Sequence, residues 1–286
     1  MNHAAQDASI GSWLTVLENR LRPVSETAAL DAQVVMAHIL GKQRAWVLAH
    51  CDQWLDTNQI AGIEAMLTRL ETREPLPYVL GHWEFYGLDF QLTHAVLIPR
   101  PETELLVERA INWLKVHPLR RNAADIGTGS GCIAITLATH IPDLVVSASD
   151  ISLPSLMVAK ANARQHQVAE RIEFSQSDLL DLDTQHTFDL ICANLPYIPT
   201  ANLPGLPVSK WEPLLALDGG KDGLTLIRRL MRQAPHYLSA GGLVLLEIEE
   251  TQGQDAQAIA REVFTTAEVI VHTDLAGRHR LLEIQL

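Results

Sequence analysis

A chain of 286 residues is long enough for one large domain or two modest ones with a sizeable core. With 47% apolar and 20% charged residues the composition is that of an ordinary globular protein, and a net charge of −12 excludes a chain built mainly to grip a phosphate backbone, which needs clustered Lys and Arg. Cys51, Cys132 and Cys192 have no metal-ligand spacing, so no metal is expected. The first residues, Met1–Asp7, lack the basic start and apolar core of a signal peptide, and no apolar run could cross a bilayer. These features point to a reducing cytoplasm, away from membranes.

Residues 9–72 have helical periodicity. Ile10, Trp13, Leu14, Leu17 and Leu21 share one face of a first helix that Pro23 ends. A second, Glu26 to Leu40, carries Leu30, Val34 and Ala37 as its stripe and closes at Gly41. A short third spans Arg44 to His50, and Thr57 is the expected N-cap of a fourth bearing Ile60, Ile63, Leu67 and Leu70. This bundle, residues 1–73, has no catalytic spacing and reads as a recognition or docking domain; His38 and His50 read as hydrogen-bonded or solvated rather than as ligands. Glu74-Pro75-Leu76-Pro77 breaks the pattern as a linker. From Trp83 to Ile98 the period becomes two around Tyr86-Gly87, so residues 74–98 are expected to form a linker and a β-hairpin bridge.

The third region, residues 99–286, opens with Pro99-Arg100-Pro101-Glu102-Thr103-Glu104. Pro101 suits the first position of a helix, and Glu102 and Glu104 suit the positive end of its dipole. Arg100, fixed between two prolines, is a candidate to line a site. From residue 121 strands and helices alternate, the pattern of a doubly wound parallel sheet. The last two strands, Glu268 to His272 and Arg280 to Gln285, have only about seven residues between them, too few for a helical crossover, and should pair antiparallel.

Asp125-Ile126-Gly127-Thr128-Gly129-Ser130-Gly131 is a strand-to-helix glycine turn of the kind needed where backbone passes close under a ligand. A dinucleotide site would space its glycines as Gly-x-Gly-x-x-Gly; here they fall at every second position, and Asp125 is better placed for an ammonium group or ordered water than for a pyrophosphate. Asp150, at the end of the second strand, can accept from ribose hydroxyls. Asp178 can accept from an adenine amino group, with Leu179 against the ring. A cationic amino-acid nucleoside fits this set, and S-adenosylmethionine is that molecule.

Asn194-Leu195-Pro196-Tyr197 follows the apolar run Phe188 to Ala193, so Asn194 stands where a strand opens into a turn that Pro196 stiffens. An amide or exocyclic amine nitrogen is a poor nucleophile because its lone pair is delocalised. The Asn194 side-chain oxygen and the Leu195 carbonyl can each accept one hydrogen of a planar –NH2, aiming the nitrogen and stabilising its developing charge. Tyr197 offers a face for stacking and a hydroxyl.

Tyr78 to Gly81, Glu84 to Gly87, Leu97 to Glu104, the glycine turn, Asp150-Ile151-Ser152, Asn194 to Pro199, Glu212-Pro213, Asp222-Gly223-Leu224 and Asp274 to Arg278 together resemble the peptide chain release factor glutamine methyltransferases, the HemK/PrmC family. The resemblance covers nearly the whole chain. It implies an α/β fold: a Rossmann-like S-adenosylmethionine-dependent methyltransferase domain with a mixed sheet and antiparallel last strand, behind a small helical bundle and a hairpin bridge. The implied reaction is N5-methylation of the glutamine in the Gly-Gly-Gln loop of class I release factors, with S-adenosylhomocysteine as product. A monomer without direct nucleic-acid binding is expected. Asn194, Pro196 and Tyr197 are the expected catalytic residues, and Arg100, Leu195 and Glu212 join them in the acceptor site. The family's usual turn is Asn-Pro-Pro-Tyr; Leu195 keeps the carbonyl and loses some rigidity. Asn-Leu-Pro-Tyr is also similar to the turn of ribosomal RNA adenine dimethyltransferases, so adenine N6-methylation of RNA or DNA is the alternative, against which the acidic charge weighs. A cofactor-binding protein without catalysis is a third reading, opposed by the retention of Asn194, Pro196 and Tyr197.

Overall fold

A computed structural model describes residues 8–181 and 186–286, so the N-terminal residues behind the signal-peptide expectation lie outside it. The chain divides into two compact units, Met1–Gly81 and His82–Leu286.

The first unit holds α1 (Ile10–Leu21), α2 (Ala28–Leu40), α3 (Arg44–Ala49), α4 (Thr57–Glu71) and α5 (Leu76–Leu80). Ile10, Trp13, Leu17 and Leu21 of α1 and Ile63, Leu67 and Leu70 of α4 are buried, as their spacing requires. In α2 Ala37 of the expected stripe is buried, but its companions are Ala28, Ala32, Val35 and Met36, while Leu30 is exposed. Gly41 ends α2 at φ 59°, the left-handed conformation glycine adopts without strain. The cap of α4 is Asp56 rather than Thr57: its carboxylate accepts from the Gln59 N–H (2.8 Å) while the Gln59 side chain accepts from the Asp56 N–H (2.9 Å). The expected linker at Glu74–Pro77 is largely the entry to α5, where Pro77 loses nothing because first-turn N–H groups have no helical partner. Arg69 secures α5 by pairing with Glu74 (2.5 Å) and donating to the carbonyls of Tyr78 (3.0 Å) and Val79 (3.2 Å). His50 bonds through Nδ1 to the Trp46 carbonyl oxygen (2.8 Å), the bland role expected of it.

The second unit opens with a hairpin, β1 (His82–Phe85) and β2 (Leu88–Gln91). Tyr86 (φ 51°) and Gly87 (φ 76°) both turn left-handed, which matches the twist of the strands they join. Phe85 and Phe90 meet edge to face at 6.1 Å within a core that includes Leu106, Val107 and Ile133, so the hairpin is part of this unit's interior.

Behind it stands a seven-stranded sheet: β3 (Asn122–Ile126), β4 (Val145–Asp150), β5 (Ile172–Gln176), β6 (Phe188–Ala193), β7 (Leu238–Glu247), β8 (Glu268–Thr273) and β9 (His279–Gln285). The order is β5-β4-β3-β6-β7-β9-β8, with β9 antiparallel to both neighbours and the β5-to-β7 stretch parallel. Alternate residues feed two cores. Ala123, Leu190, Cys192, Leu243 and Leu245 pack with α6 (Thr103–Val116) and α7 (Cys132–His140). Ala124, Ile126, Ile191, Val244 and Leu246 pack with α9 (Thr225–Tyr237) and α10 (Gly253–Val263). A further helix, α8 (Leu153–Gln165), contributes the buried Asn162, which accepts from the Gln91 backbone N–H (2.8 Å) and donates to the backbone carbonyls of Gln91 (3.1 Å) and Ser130 (2.9 Å), tying the hairpin to the glycine turn.

Pro101 is not the first helical residue as expected. It lies in a turn before α6, whose N-cap is Glu102, and the N–H groups of Thr103 and Glu104 bond back to the carbonyls of Arg100 and Pro101 (3.1 Å each). Glu104 does more than complement a dipole, since its carboxylate accepts from the Tyr86 N–H at the hairpin turn (2.9 Å).

Candidate active site

The strand order reverses direction between β3 and β6, and a cleft opens at the carboxyl ends of strands on either side of such a reversal. Ile126 pairs with Ala193 in register, so the next residues, Gly127 and Asn194, leave the sheet side by side. Both line a cavity of about 520 Å³.

Two features favour glycine at Gly127 (φ 73°): its backbone is left-handed, and a Cβ there would crowd Leu195 Cδ2 at 3.2 Å. Gly129 and Gly131 differ. A Cβ on Gly129 would meet nothing within 4 Å and would project into open space, whereas one on Gly131 would stand 2.7 Å from Ile135 Cδ1. Gly129, Thr128 and Ser130 line the cavity; Gly131, expected there too, is outside its wall and serves helix packing instead. Asp125 is likewise behind the wall, fully buried. Its Oδ2 accepts from the Thr128 hydroxyl (2.6 Å) and the Ala134 N–H (3.1 Å), bracing the turn from beneath. Burial pushes its carboxyl up to about 6 against those two bonds.

Asp150 lines the cavity with both oxygens anchored, Oδ2 by the Gly129 N–H (2.9 Å) and Oδ1 by the Ser152 N–H (2.8 Å). Burial raises its pKa despite those bonds. Asp178 and Leu179 share the wall, with Leu179 buried at φ 60°. Asp178 also pairs with Arg229 of α9 (2.9 Å), a cavity residue the sequence did not suggest because it comes from a helix some fifty residues on.

Asn194, Leu195 and Pro196 form the adjoining wall. The Asn194 Nδ2 donates to Thr103 Oγ1 (3.0 Å), and that hydroxyl donates to Glu247 Oε2 (2.6 Å). The Tyr197 hydroxyl donates to the other oxygen of Glu247 (3.3 Å). Glu247 is buried, and its carboxyl is pushed up to about 7, by burial first, with the Thr103 bond opposing and Glu102 adding to the rise. Burial, with Glu247 beside it, keeps the Tyr197 phenol protonated far above its ordinary range. Thr103 and Glu247 were missed in the sequence: Glu247 ends an apolar strand like any solvated acid, while Thr103 lay inside a motif already singled out. The Tyr197 backbone is held by Gln252, which donates to its carbonyl (2.9 Å), and by Gly219, where a Cβ would stand 2.7 Å from Tyr197 Cα.

Asn194 and Leu195 also bound a second, smaller cavity of about 70 Å³, with Tyr197, Ile198 and Arg100. Arg100 lines both cavities and is clamped by the buried Glu212 (2.7 and 2.5 Å). Glu212 itself is outside both walls, so its part is to hold Arg100. The irregular stretch between β6 and α9 contains three short 3₁₀ turns, Thr200–Gly205, Pro207–Lys210 and Leu214–Ala216.

Sheet order, glycine turn and paired strand-end sites define a Rossmann-like methyltransferase. The family models agree: residues 12–81 match the PrmC N-terminal domain and residues 102–202 the Methyltransferase small domain. The chain belongs to the release factor glutamine methyltransferase family. It is 41% identical over 257 residues to the release factor glutamine methyltransferase of Moorella thermoacetica, covering 89% of this chain and 90% of the relative. The Bordetella pertussis enzyme of the same name is 38% identical over 88% of this chain and 93% of its own. Among solved structures, a ribosomal protein methylase from Lactobacillus delbrueckii subsp. bulgaricus superposes with a TM-score of 0.50 at 23% identity, over 68% of this chain and 82% of that one. A 16S rRNA methyltransferase of T. thermophilus, solved with AdoMet and guanosine, gives 0.52 at 17%, over 71% and 49%. These two share the fold.

Proposed function

We propose that the protein methylates N5 of the glutamine in the Gly-Gly-Gln loop of class I peptide chain release factors, with S-adenosylmethionine as donor and S-adenosylhomocysteine as product, in the cytoplasm. The observation that carries this reading is the orientation of Asn194: its N–H is committed to Thr103, so its Oδ1 is free to accept at the wall shared by the two cavities. The larger cavity suits the donor. Its floor is the glycine turn with open space over Gly129, and its walls carry two carboxylates and a buried leucine. Asp150 would hold the ribose hydroxyls, Asp178 and Leu179 the adenine, and Gly127 to Ser130 the chain between them. When bound, the donor supplies a methyl on a positively charged sulfur.

The chain's own residues would then make a poor nucleophile serviceable. Asn194 Oδ1 and the Leu195 carbonyl accept the two hydrogens of the glutamine –NH2, which fixes the direction of the nitrogen lone pair. As the nitrogen pyramidalises and becomes positive, the same two oxygens stabilise it. Pro196 keeps them at a fixed separation, and the Leu195 side chain, buried over Gly127, replaces by packing some of the stiffness a second proline would give. Tyr197 stacks on the amide plane, and the clamped Arg100 faces the acceptor. No side chain must remove a proton beforehand; it leaves after transfer. The helical N-terminal unit would recognise the release factor.

Incubation with methyl-labelled S-adenosylmethionine and either a release factor or ribosomal RNA tests the reading. Label on the Gly-Gly-Gln glutamine is expected. Label in RNA alone, or cofactor that binds and is never transferred, overturns it.

A further inference from the structure

A primary carboxamide is nearly symmetric in shape and opposite in chemistry at its two ends: one oxygen accepts, one –NH2 donates. Turned the wrong way, Asn194 would present hydrogens to the hydrogens of an incoming –NH2, and the grip would become a repulsion. Something in the fold must decide which end faces the acceptor.

We infer that Thr103 and Glu247 are positioning residues that fix the polarity of the Asn194 carboxamide, one buried carboxylate setting both ends of the Asn194–Tyr197 turn. The inference rests on the reading of Asn194 as the residue that grips the acceptor. A count of hydrogens fixes the direction of each bond. The Thr103 hydroxyl has one, and the 2.6 Å bond to Glu247 Oε2 takes it. What remains on that hydroxyl toward Asn194 is a lone pair, which can only accept, so the –NH2 of Asn194 turns to Thr103 at 3.0 Å and its oxygen turns the other way. The opposite oxygen of Glu247 takes the Tyr197 hydroxyl hydrogen in the same sense. An ionised carboxylate can only accept, and so the direction of every bond in the chain follows from its charge.

A neutral Glu247 would undo this. With the proton on Oε2, the carboxyl would donate to Thr103. The Thr103 hydrogen would then be free to turn to Asn194, and the carboxamide could flip to accept it. The groups facing Glu247 are Thr103 and Glu102 at the start of α6, Tyr197 after β6, Arg280 on β9 and Cys132 at the start of α7. Glu102 favours the neutral form and Arg280 the ionised one. Burial brings the proton affinity near neutrality, so the relay is poised where a modest change in pH is felt.

The test compares wild type, T103V, T103S and E247Q by kcat, KM and pH profile on a Gly-Gly-Gln protein. T103V keeps the volume and loses the hydroxyl; its kcat should fall about 10- to 100-fold with KM for S-adenosylmethionine within about 2-fold, the size of effect expected when a reacting group is held loosely. T103S restores the hydroxyl and should return to within about 3-fold of wild type. The wild-type kcat should decline on the acid side of neutrality, and E247Q, which has no proton to gain, should lack that limb. A T103V kcat within 2-fold of wild type, equal losses in T103V and T103S, or an acid limb unchanged in E247Q would each overturn the inference. If wild type itself leaves the Gly-Gly-Gln protein unlabelled, the proposed function fails separately, and crystal structures decide the relay. An Asn194 carboxamide that keeps its plane and its order in T103V, and its bond to Thr103 in E247Q, would then refute it; a turned or disordered one would support it.

Discussion

A carboxylic acid taken out of water prefers to keep its proton, and Asp125 and Glu247 are both fully buried, with carboxyls pushed up to about 6 and about 7. Each therefore binds its proton more tightly folded than unfolded. Their contribution to stability is complete below about pH 4 and is lost as pH rises through the folded values, the reverse of a salt-bridged acid. E247Q should accordingly raise the unfolding free energy at pH 8 by on the order of 1–3 kcal/mol, and the gain should shrink toward pH 5. Thermal or urea unfolding at the two pH values measures this, and an equal shift at both would show that Glu247 is not strained. Two site residues separate by kinetics. Asn194→Ala should lower kcat about 100-fold or more while the cofactor Kd changes little, because the oxygen it removes acts on developing charge. Asp150→Ala should do the opposite, weakening cofactor binding about 10-fold or more through a lost charged acceptor. Calorimetric titration and single-turnover transfer measure the two quantities, and parallel losses in either variant would contradict the division of roles.

At the scale of the element, the two glycines of the turn that look alike in sequence should respond differently. Gly131→Ala must push Ile135 Cδ1 from 2.7 Å in a left-handed backbone, and a loss of about 2–4 kcal/mol in stability is expected. Gly129→Ala meets no neighbour, so about 1 kcal/mol is expected, with cofactor affinity the larger loss because its methyl would stand in the cavity. Unfolding and titration of both variants check the contrast. The parallel sheet and the antiparallel last strand were legible in the sequence because strand and helix patterns alternate from residue 121 and only about seven residues separate the last two strands. The turn at Asn194 was legible because Pro196 leaves few conformations. Where small residues do the packing, legibility ended. In α2 the small Ala28 and Ala32 are buried, while Leu30, expected on the buried stripe, is exposed. Thr103 and Glu247 lie 144 residues apart, and only the packing of α6 against β7 makes them neighbours. No local pattern encodes such a meeting.

At the scale of the whole molecule, each unit buries its own apolar cluster: Ile10, Leu17, Met36, Ile63 and Leu67 in one, and the two sides of the sheet in the other. A chain limited to His82–Leu286 should therefore fold, show a cooperative thermal transition and bind S-adenosylmethionine within about 3-fold of the full protein, while losing most of its kcat/KM on a release factor. Loss of cofactor binding in that fragment would mean that the cofactor site depends on the helical unit. The excess of acid over base across the chain also suits a protein partner over a polyanion, and transfer should weaken with added salt far less steeply than for a nucleic-acid enzyme.

All six residues of β6, from Phe188 to Ala193, are shielded from solvent, and the turn that ends in Tyr197 hangs directly from them. A grip mounted on so stiff a mast cannot travel to meet its visitor. On the proposed function the accommodation comes from the other side: the glutamine would be delivered on a segment supple enough to reach the wall between the two cavities. Bracing that segment in the partner, by a crosslink at its base, should then silence the reaction without touching the enzyme at all.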